Sequence, residues 1–570
     1  MKIYAPIWDK NISCTNSKGA LDLILELGYD VGIVNQIRSS ILGFMKGSKI
    51  RRCSPLYNPK LKHKTAIKVI DLFDAQFRND ISKLHPSIVD LEDSQKVKFH
   101  SFSQRLPYEK MNKGFLTTLR KKNKIKGKFY LEKAFWHLHK TKFKHYLGRC
   151  RPLSLSNRCK RLPKDSQWGL PFMTKGFFSS EKHLDIAKKC YKQGYLDFIP
   201  AIFGMRNQPG ADDIPKQRII LMVPHFVVIL ETIFSGVLTG IYKTYPWFGK
   251  LRSQNSCDYR VTQILERSIS DQWRRVSVDF SMFGYSLEKI FLFYYFSHIK
   301  LMFGIKPNSH LSGLIDSIYE YLRSRLIVLP DLTFLFCDKG INDGSGLTSS
   351  CGCFSHMLVS HACFFYLYGH FPLGDEFLDI YISDDGIWYW YGILADVIST
   401  RLKEMFGLSL NVEKCFVRVG QAIFCSSLYI CHYRPDKDYP TLCRPIRSLY
   451  RTLVGNVFKE KGNFVSSSGE PWSDVDESIR WITQLENVKF HPLRLKYVKF
   501  IANGDYRFAL GIKNKIGIRG IFRLVGGFKD FMGSKISSDF KYSQTVYSNR
   551  VSSLWIFRAV DHLIEENENT

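Results

Sequence analysis

The chain is short of acids: 52 Asp and Glu stand against 82 Lys and Arg over 570 residues, a formal charge of +30. It also lacks any CxxC pair among its fourteen cysteines, so neither a zinc ribbon nor a disulfide framework is expected and the thiols read as free. Cys351, Cys353 and His356 lie close together but inside a helical pattern, and no metal site is expected there. Long apolar runs are missing too. The most apolar stretch, Ile219 to Leu238, is broken by Pro224, His225 and Glu231, which are costly in hydrocarbon, and no membrane span is expected. The opening residues MKIYAPIWDK have no apolar core of the kind a secretory signal needs, which points to a chain that stays inside a cell. Internal repeats and long low-complexity segments are absent.

What is present is the material of a large folded protein. Apolar residues make up 45% and charged residues 24%, and 570 residues exceed what one core usually serves, so several subdomains around a deep cleft are expected. The excess of cations attracts a polyanion before any specific contact forms, and nucleic acid is the leading partner. A membrane surface fits less well, because the charge is spread along the chain instead of gathered beside an apolar anchor. Up to about Lys164, amphipathic segments alternate with basic runs. One of them, Arg120 to Lys128, reads equally as a solvated loop or as a wall of a nucleic-acid channel. From Gln167 to Tyr389 strand-like and helix-like pieces alternate, as in an α+β domain. After Tyr433, helical patterns interrupted at Ser466 to Pro471 run to an acidic end at Glu565 to Glu568.

Three carboxylates stand out. In Arg275 to Asp279 the alternation of Val276 and Val278 with polar residues predicts a half-buried strand that delivers Asp279 at its end. Asp379 to Tyr389 predicts a hairpin with Asp384 and Asp385 at an Asp-Gly turn. Adjacent acids repel, and a divalent cation shared with Asp279 would neutralise them. Two such ions promote phosphoryl transfer by acidifying the attacking hydroxyl and steadying the leaving oxygen. By itself an Asp-Asp turn is ordinary. Between the two acidic segments, Gly340 to Ser350 is a loop whose glycines permit close backbone approach to a ligand. Phe354, Met357, Leu358, His361, Phe365 and Tyr368 then follow at helical spacing up to Gly369 and read as core. Farther on, Leu394, Val397, Ile398, Leu402 and Met405 predict a helix capped by Gly407.

Taken in order, DxSxF at Asp279, GxxxGxxxT from Gly340 to Thr348 and SDD at Ser383 resemble the palm of viral RNA-dependent RNA polymerases of the partitivirus-like and picobirnavirus-like group. The resemblance implies an α+β right-hand polymerase with fingers, an antiparallel palm sheet with helices, and a helical thumb. It implies an RNA-directed RNA polymerase that copies viral genomic RNA from NTPs. Two Mg²⁺ ions, replaceable by Mn²⁺, are then held by Asp279, Asp384 and Asp385. Lys216 and Arg218 correspond to the basic NTP-entry segment, which continues through Pro224, Glu231 and Phe234. Gly169, Pro171 and Lys175 match the template-contacting loop, with Gly344 facing the same strand. Ser427, within Phe424 to Tyr429, matches the hairpin that grips the primer, and Lys414 matches the candidate general acid. The implied partners are template and product RNA, NTPs and a capsid protein, in the virion or the host cytoplasm. The likeness covers Gly169 to Tyr429; the remaining parts are assigned by position alone. The division is then 1–165 for the N-terminal extension and fingers, 166–270 for further fingers, 271–435 for the palm with an insertion near 300–335, and 436–570 for the thumb and tail.

Two positions depart from the family. Relatives carry an acid five residues after the first Asp and an amide four residues after the Thr, which sense the ribose 2′-hydroxyl; here these are Gly284 and Gly352. Asp343 also replaces the serine before Gly344. Ser345, Thr348 or Glu288 are the expected substitutes in reading the sugar. A reverse transcriptase would place a bulky aromatic gate beside the sugar, and Gly284 has no side chain. The other rival, a noncatalytic RNA-binding scaffold, is opposed by the intact Asp279, Asp384 and Asp385.

Overall fold

In the computed structural model the described residues are 31–45, 48–49, 65–97, 104–105, 107–108, 123–164, 166–197, 199–208, 216–249, 252–270, 274–341, 344–373, 376–390, 395–411, 415, 418–457, 481–482, 484–505, 508–512, 517, 520–521 and 555–568. The first described elements are α1 (Val31–Leu42), β1 (Ser48–Lys49), α2 (Thr65–Ser82), α3 (Pro86–Lys96) and β2 (Gln104–Arg105). Next come α4 (Lys128–Thr141), α5 (Leu155–Arg161), α6 (Gly176–Gln193), β3 (Ala201–Gln208) and β4 (Lys216–Met222). They lead to α7 (His225–Tyr242), α8 (Gln254–Ser270), β5 (Arg274–Asp279), α9 (Phe283–Ser286), α10 (Lys289–Phe303) and α11 (His310–Arg323). The centre continues with β6 (Arg325–Val328), β7 (Phe334–Cys337), α12 (Thr348–Tyr368), β8 (Phe377–Ile382), β9 (Asp385–Trp390) and α13 (Ala395–Phe406). The hairpin β10 (Gln421–Phe424) and β11 (Ser427–Ile430) precedes α14 (Leu449–Val457), α15 (Arg494–Gly504) and α16 (Trp555–Glu568).

Two sheets matter for the site. The first has the order β4-β3-β6-β7 and is antiparallel except where Ala201 and Ile202 of β3 run parallel to Ile327 and Val328 of β6. Half of this sheet therefore comes from β6 and β7, in and beside the stretch read from the sequence as an insertion. The second has the order β5-β9-β8 and is antiparallel throughout. Strand β5 is covered on both faces: Val278 enters the main core, and the Ser277 hydroxyl accepts a hydrogen bond from the Ile423 amide of β10 at 3.1 Å. At this end of the expected half-buried strand, Ser277 and Val278 are both buried, one on each face.

The main core runs from Val34 to Leu410 and is centred on α7, α10 and α12. Helix α12 is apolar or small on every side, and each residue from Cys351 to Phe364 is buried, which is what an all-round buried helix requires. Helix α7 is long and apolar enough to cross a membrane, but 72% of it is buried inside the protein. Pro224 does not interrupt this helix. It stands at its N-cap, where a missing N–H costs nothing.

A second core joins distant parts of the chain. Phe73 and Phe77 of α2 stack at 4.3 Å and meet Tyr497 and Phe500 of α15 edge to face. Leu449, Leu453, Trp481, Ile556 and Val560 complete the cluster. Glu92 of α3 is buried and accepts from the Ser448 hydroxyl at 2.6 Å and from the Leu449 and Tyr450 amides at 2.8 and 3.2 Å. These amides open α14, so a carboxylate from α3 satisfies that helix's first N–H groups and complements its dipole.

Candidate active site

The sheet register brings the aspartates together. Asp279, the last residue of β5, pairs directly with Asp385, the first of β9, and Asp384 sits in the turn just before it. That turn is Ser383-Asp384, two residues earlier than the Asp-Gly signal suggested. Gly386 is a strand residue facing His356, where an added Cβ would lie 2.7 Å from the imidazole Cε1. The end of β5 is fastened from behind: the Asn411 amide donates to the Asp279 carbonyl at 2.8 Å and the Ser281 amide to the Ser409 carbonyl at 2.9 Å. All three carboxylates are half-buried. Among the described residues no three His, Cys, Asp or Glu side chains are already drawn together tightly enough to hold an ion. The site offers hard oxygen donors on adjacent backbone positions, the donor type that suits Mg²⁺ or Mn²⁺.

Helix α12 holds the turn. His356 Nδ1 lies 2.8 Å from the Ser383 carbonyl oxygen, and the Trp388 indole N–H donates to His356 Nε2 at 3.0 Å. Because Nε2 accepts, Nδ1 carries the proton, and burial holds the ring neutral with its pKa pushed down to about 4. The Ser383 amide donates to Cys353 Sγ at 3.1 Å. Cys353 and His356, which stood out in the sequence as near neighbours, therefore grip the acidic turn.

The glycine loop approaches protein, not open space. A Cβ on Gly344 would meet the Leu221 carbonyl at 2.1 Å, so the loop lies directly on β4. Ser345 donates its hydroxyl to Glu231 Oε1 at 2.9 Å and Gly346 its amide to Oε2 at 2.7 Å. Burial raises the Glu231 pKa to about 7 against the opposing hydrogen bonds from Ser345 and Gly346. Thr348 donates to the Ser345 carbonyl at 2.8 Å, closing the turn into α12. Glu288 pairs with the buried Lys339 at 3.2 Å and accepts the Asn123 amide at 3.0 Å. Beside this group a cavity of about 830 Å³ is lined by Asn123, Ser281, Met282, Lys339, Thr400 and Lys403. It is large enough for a small-molecule ligand.

Gly169, with φ of +66°, opens a loop whose Trp168 stacks on His225 at 4.4 Å and accepts the His225 amide at 3.1 Å. Gly169 thus sits against the Met222–Val223 backbone that leads into α7. Lys175 is exposed at the N-cap of α6, and Pro171 is half-buried. Ser427 is buried at the start of β11, opposite Phe424. The turn between them, Cys425-Ser426, has φ of +51° and +59°. Burial, and then the charge of Asp385, push the Cys425 thiol pKa up, which places this turn beside the acidic one. Lys414 lies outside the described residues, as do the side chains of Lys216 and Arg218; their backbone forms β4, with Arg218 opposite Arg206 and Lys216 opposite Gln208.

Arg447 was not singled out in the sequence. It lines a cavity of about 40 Å³ with Cys425, Ser427 and Lys489. Among the described residues it makes no hydrogen bond or ion pair, and burial lowers its pKa. A lone Arg after a hairpin carries no sequence signal; its environment distinguishes it.

Fold and acid site together resemble those of viral RNA-dependent RNA polymerases. No family model matches the chain. A curated relative, the potential RNA-dependent RNA polymerase of a human picobirnavirus (strain Human/Thailand/Hy005102/-), is 24% identical over 324 residues, which span 55% of this chain and 56% of the relative. Crystal structures of the RNA-dependent RNA polymerase of a human picobirnavirus superpose with TM-scores of 0.70, for an insertion-loop deletion mutant, and 0.68. Each is 18% identical, covering 93% and 92% of this chain and 96% of the other. The resemblance read from the motifs is thus upheld: the chain is similar to the picobirnavirus polymerases in sequence and in fold.

Proposed function

We propose that the protein is an RNA-directed RNA polymerase that extends an RNA strand on an RNA template from NTPs. The observation that carries this reading is the register of Asp279 with Asp385 beside the Asp384 turn, on a fold shared with picobirnavirus polymerases. In hand terms, the sheet of β5, β9 and β8 is the palm, the sheet of β3, β4, β6 and β7 belongs to the fingers, and the helices from α14 onward form the thumb. The RNA 3′-hydroxyl attacks the α-phosphate of the NTP, a P–O bond forms, and pyrophosphate leaves. Asp279 and Asp384 would hold two Mg²⁺ ions with support from Asp385; when bound, these lower the hydroxyl's pKa and neutralise charge on the triphosphate. Lys216 and Arg218 hold the triphosphate by charge-assisted contacts. Arg447 and the Cys425-Ser426 turn contact the backbone of the product strand. Base pairing reads the sequence, so the protein's contacts fall mainly on phosphate and sugar.

The test is synthesis on a defined RNA template, with and without primer, comparing NTPs with dNTPs. Wild type is expected to incorporate NTPs, and Asp384→Ala to lose synthesis while still binding RNA. Preferential incorporation of dNTPs would make the protein a reverse transcriptase instead. RNA binding without any synthesis by wild type would leave only the scaffold reading.

A further inference from the structure

The residues expected to substitute at the sugar-reading positions are all occupied. The Ser345 hydroxyl is given to Glu231, the Thr348 hydroxyl to the Ser345 carbonyl, and the Glu288 carboxylate to Lys339 and the Asn123 amide. Gly284 and Gly352 contribute no side chain.

The space in front of Gly352 is nevertheless filled. A Cβ built on Gly352 would lie 2.6 Å from the hydroxyl oxygen of Ser383 and 3.4 Å from its Cβ. Ser383 holds φ of +59°, a left-handed conformation that glycine adopts freely and that costs other residues roughly 1 kcal/mol. Its amide is bound to Cys353 Sγ and its carbonyl to His356. Its hydroxyl makes no hydrogen bond among the described residues, and the residue is only half-buried. A hydroxyl both donates and accepts, as recognition of another hydroxyl requires. The backbone is therefore held next to Asp384 and presents one polar group with no partner among the described residues, at the position where the side chain of residue 352 would begin.

We propose that Ser383 and Gly352 are a reciprocal exchange: the Ser383 hydroxyl recognises a ribose 2′-hydroxyl at the active site in place of a side chain at position 352. This rests on the polymerase reading. That reading is tested separately by Asp384→Ala, which removes synthesis altogether, whereas the exchange is tested by the choice of sugar.

Ser383→Gly fits the turn, since glycine accepts the positive φ. Two substrate arms locate the hydroxyl being read. In the first, NTP and dNTP compete on an all-RNA primer; in the second, NTP is added to primers ending in a ribonucleotide or a deoxyribonucleotide. A drop in ribose preference of roughly tenfold or more in the first arm assigns Ser383 to the incoming nucleotide, and in the second arm to the product end. Ser383→Gly combined with Gly352→Asn is expected to recover the preference, while Gly352→Asn alone, colliding with Ser383, is not. A readout apart from activity is the melting temperature: Gly352→Ala lowers it in the Ser383 background and much less once Ser383 is glycine. Unchanged preference in both arms overturns the proposal. So does loss of all synthesis by a normally folded Ser383→Gly protein, because a sugar-reading hydroxyl governs choice and not chemistry.

Discussion

His356 clasps Ser383 across the gap between α12 and the acidic hairpin, giving its Nδ1 proton to the serine carbonyl at 2.8 Å. With Trp388 donating to the other ring nitrogen, a single neutral tautomer is selected. His356→Ala leaves the buried indole N–H without its acceptor and opens a void, at a cost of roughly 3 kcal/mol. The melting temperature should fall, and NTP turnover should fall more than apparent NTP affinity. His356→Gln, which can both donate and accept, should recover part of each loss. An unaltered kcat in His356→Ala would show that the turn keeps its shape unaided.

Glu231 predicts an unusual dependence on pH. Its pKa is raised in the folded protein from 4.5 to about 7, so the native state binds the proton more tightly than the unfolded chain. Stability therefore declines as pH climbs from about 4.5 through 7 and levels off above, a change of roughly 3 kcal/mol. Denaturant titrations at pH 5 and pH 8 should show this decline in wild type and less of it in Glu231→Gln. Equal slopes in the two proteins would assign the effect elsewhere.

The metal reading can be checked without catalysis. Calorimetric titration with Mn²⁺ should show binding to the wild-type protein, weakened about tenfold or more by Asp279→Asn or Asp384→Asn through loss of a charged oxygen ligand. Binding unaffected by either substitution would move the cation site away from these residues.

Arg447 should show opposite effects on stability and binding. Arg447 is half-buried with no ion-pair partner among the described residues, and burial disfavours its charge, so Arg447→Met is expected to raise the melting temperature of the free protein slightly. The same change should weaken binding to a primer–template duplex and reduce the slope of log affinity against log salt by about 1. A more stable variant with undiminished RNA affinity would remove Arg447 from the product-strand contact.

Local patterns revealed much of this architecture, and their failures have physical causes. The ends of β5, α12 and α13 were readable because alternation, helical spacing and the glycines at 369 and 407 are local signals. The turn was misplaced because Gly386 owes its identity to His356, thirty residues earlier, and not to its own φ. For the same reason Gly344 and Gly346 of the loop before α12 looked ready for a ligand when they are pressed against β4 and α7. Arg447 and the Gly352–Ser383 contact are products of tertiary packing, which periodicity does not encode.

The shared core of α2 and α15 has a consequence for how the protein is made. Lys496 donates to the carbonyl of Gln76 across 420 residues of sequence, and Phe73 and Phe77 are buried by the same late helices. Until those helices leave the ribosome, the aromatic face of α2 has no native partner and is exposed to aggregation or to a chaperone. A chain assembled in this order completes its second core late, so a truncated or stalled chain would carry the three aspartates and yet leave that core unfinished.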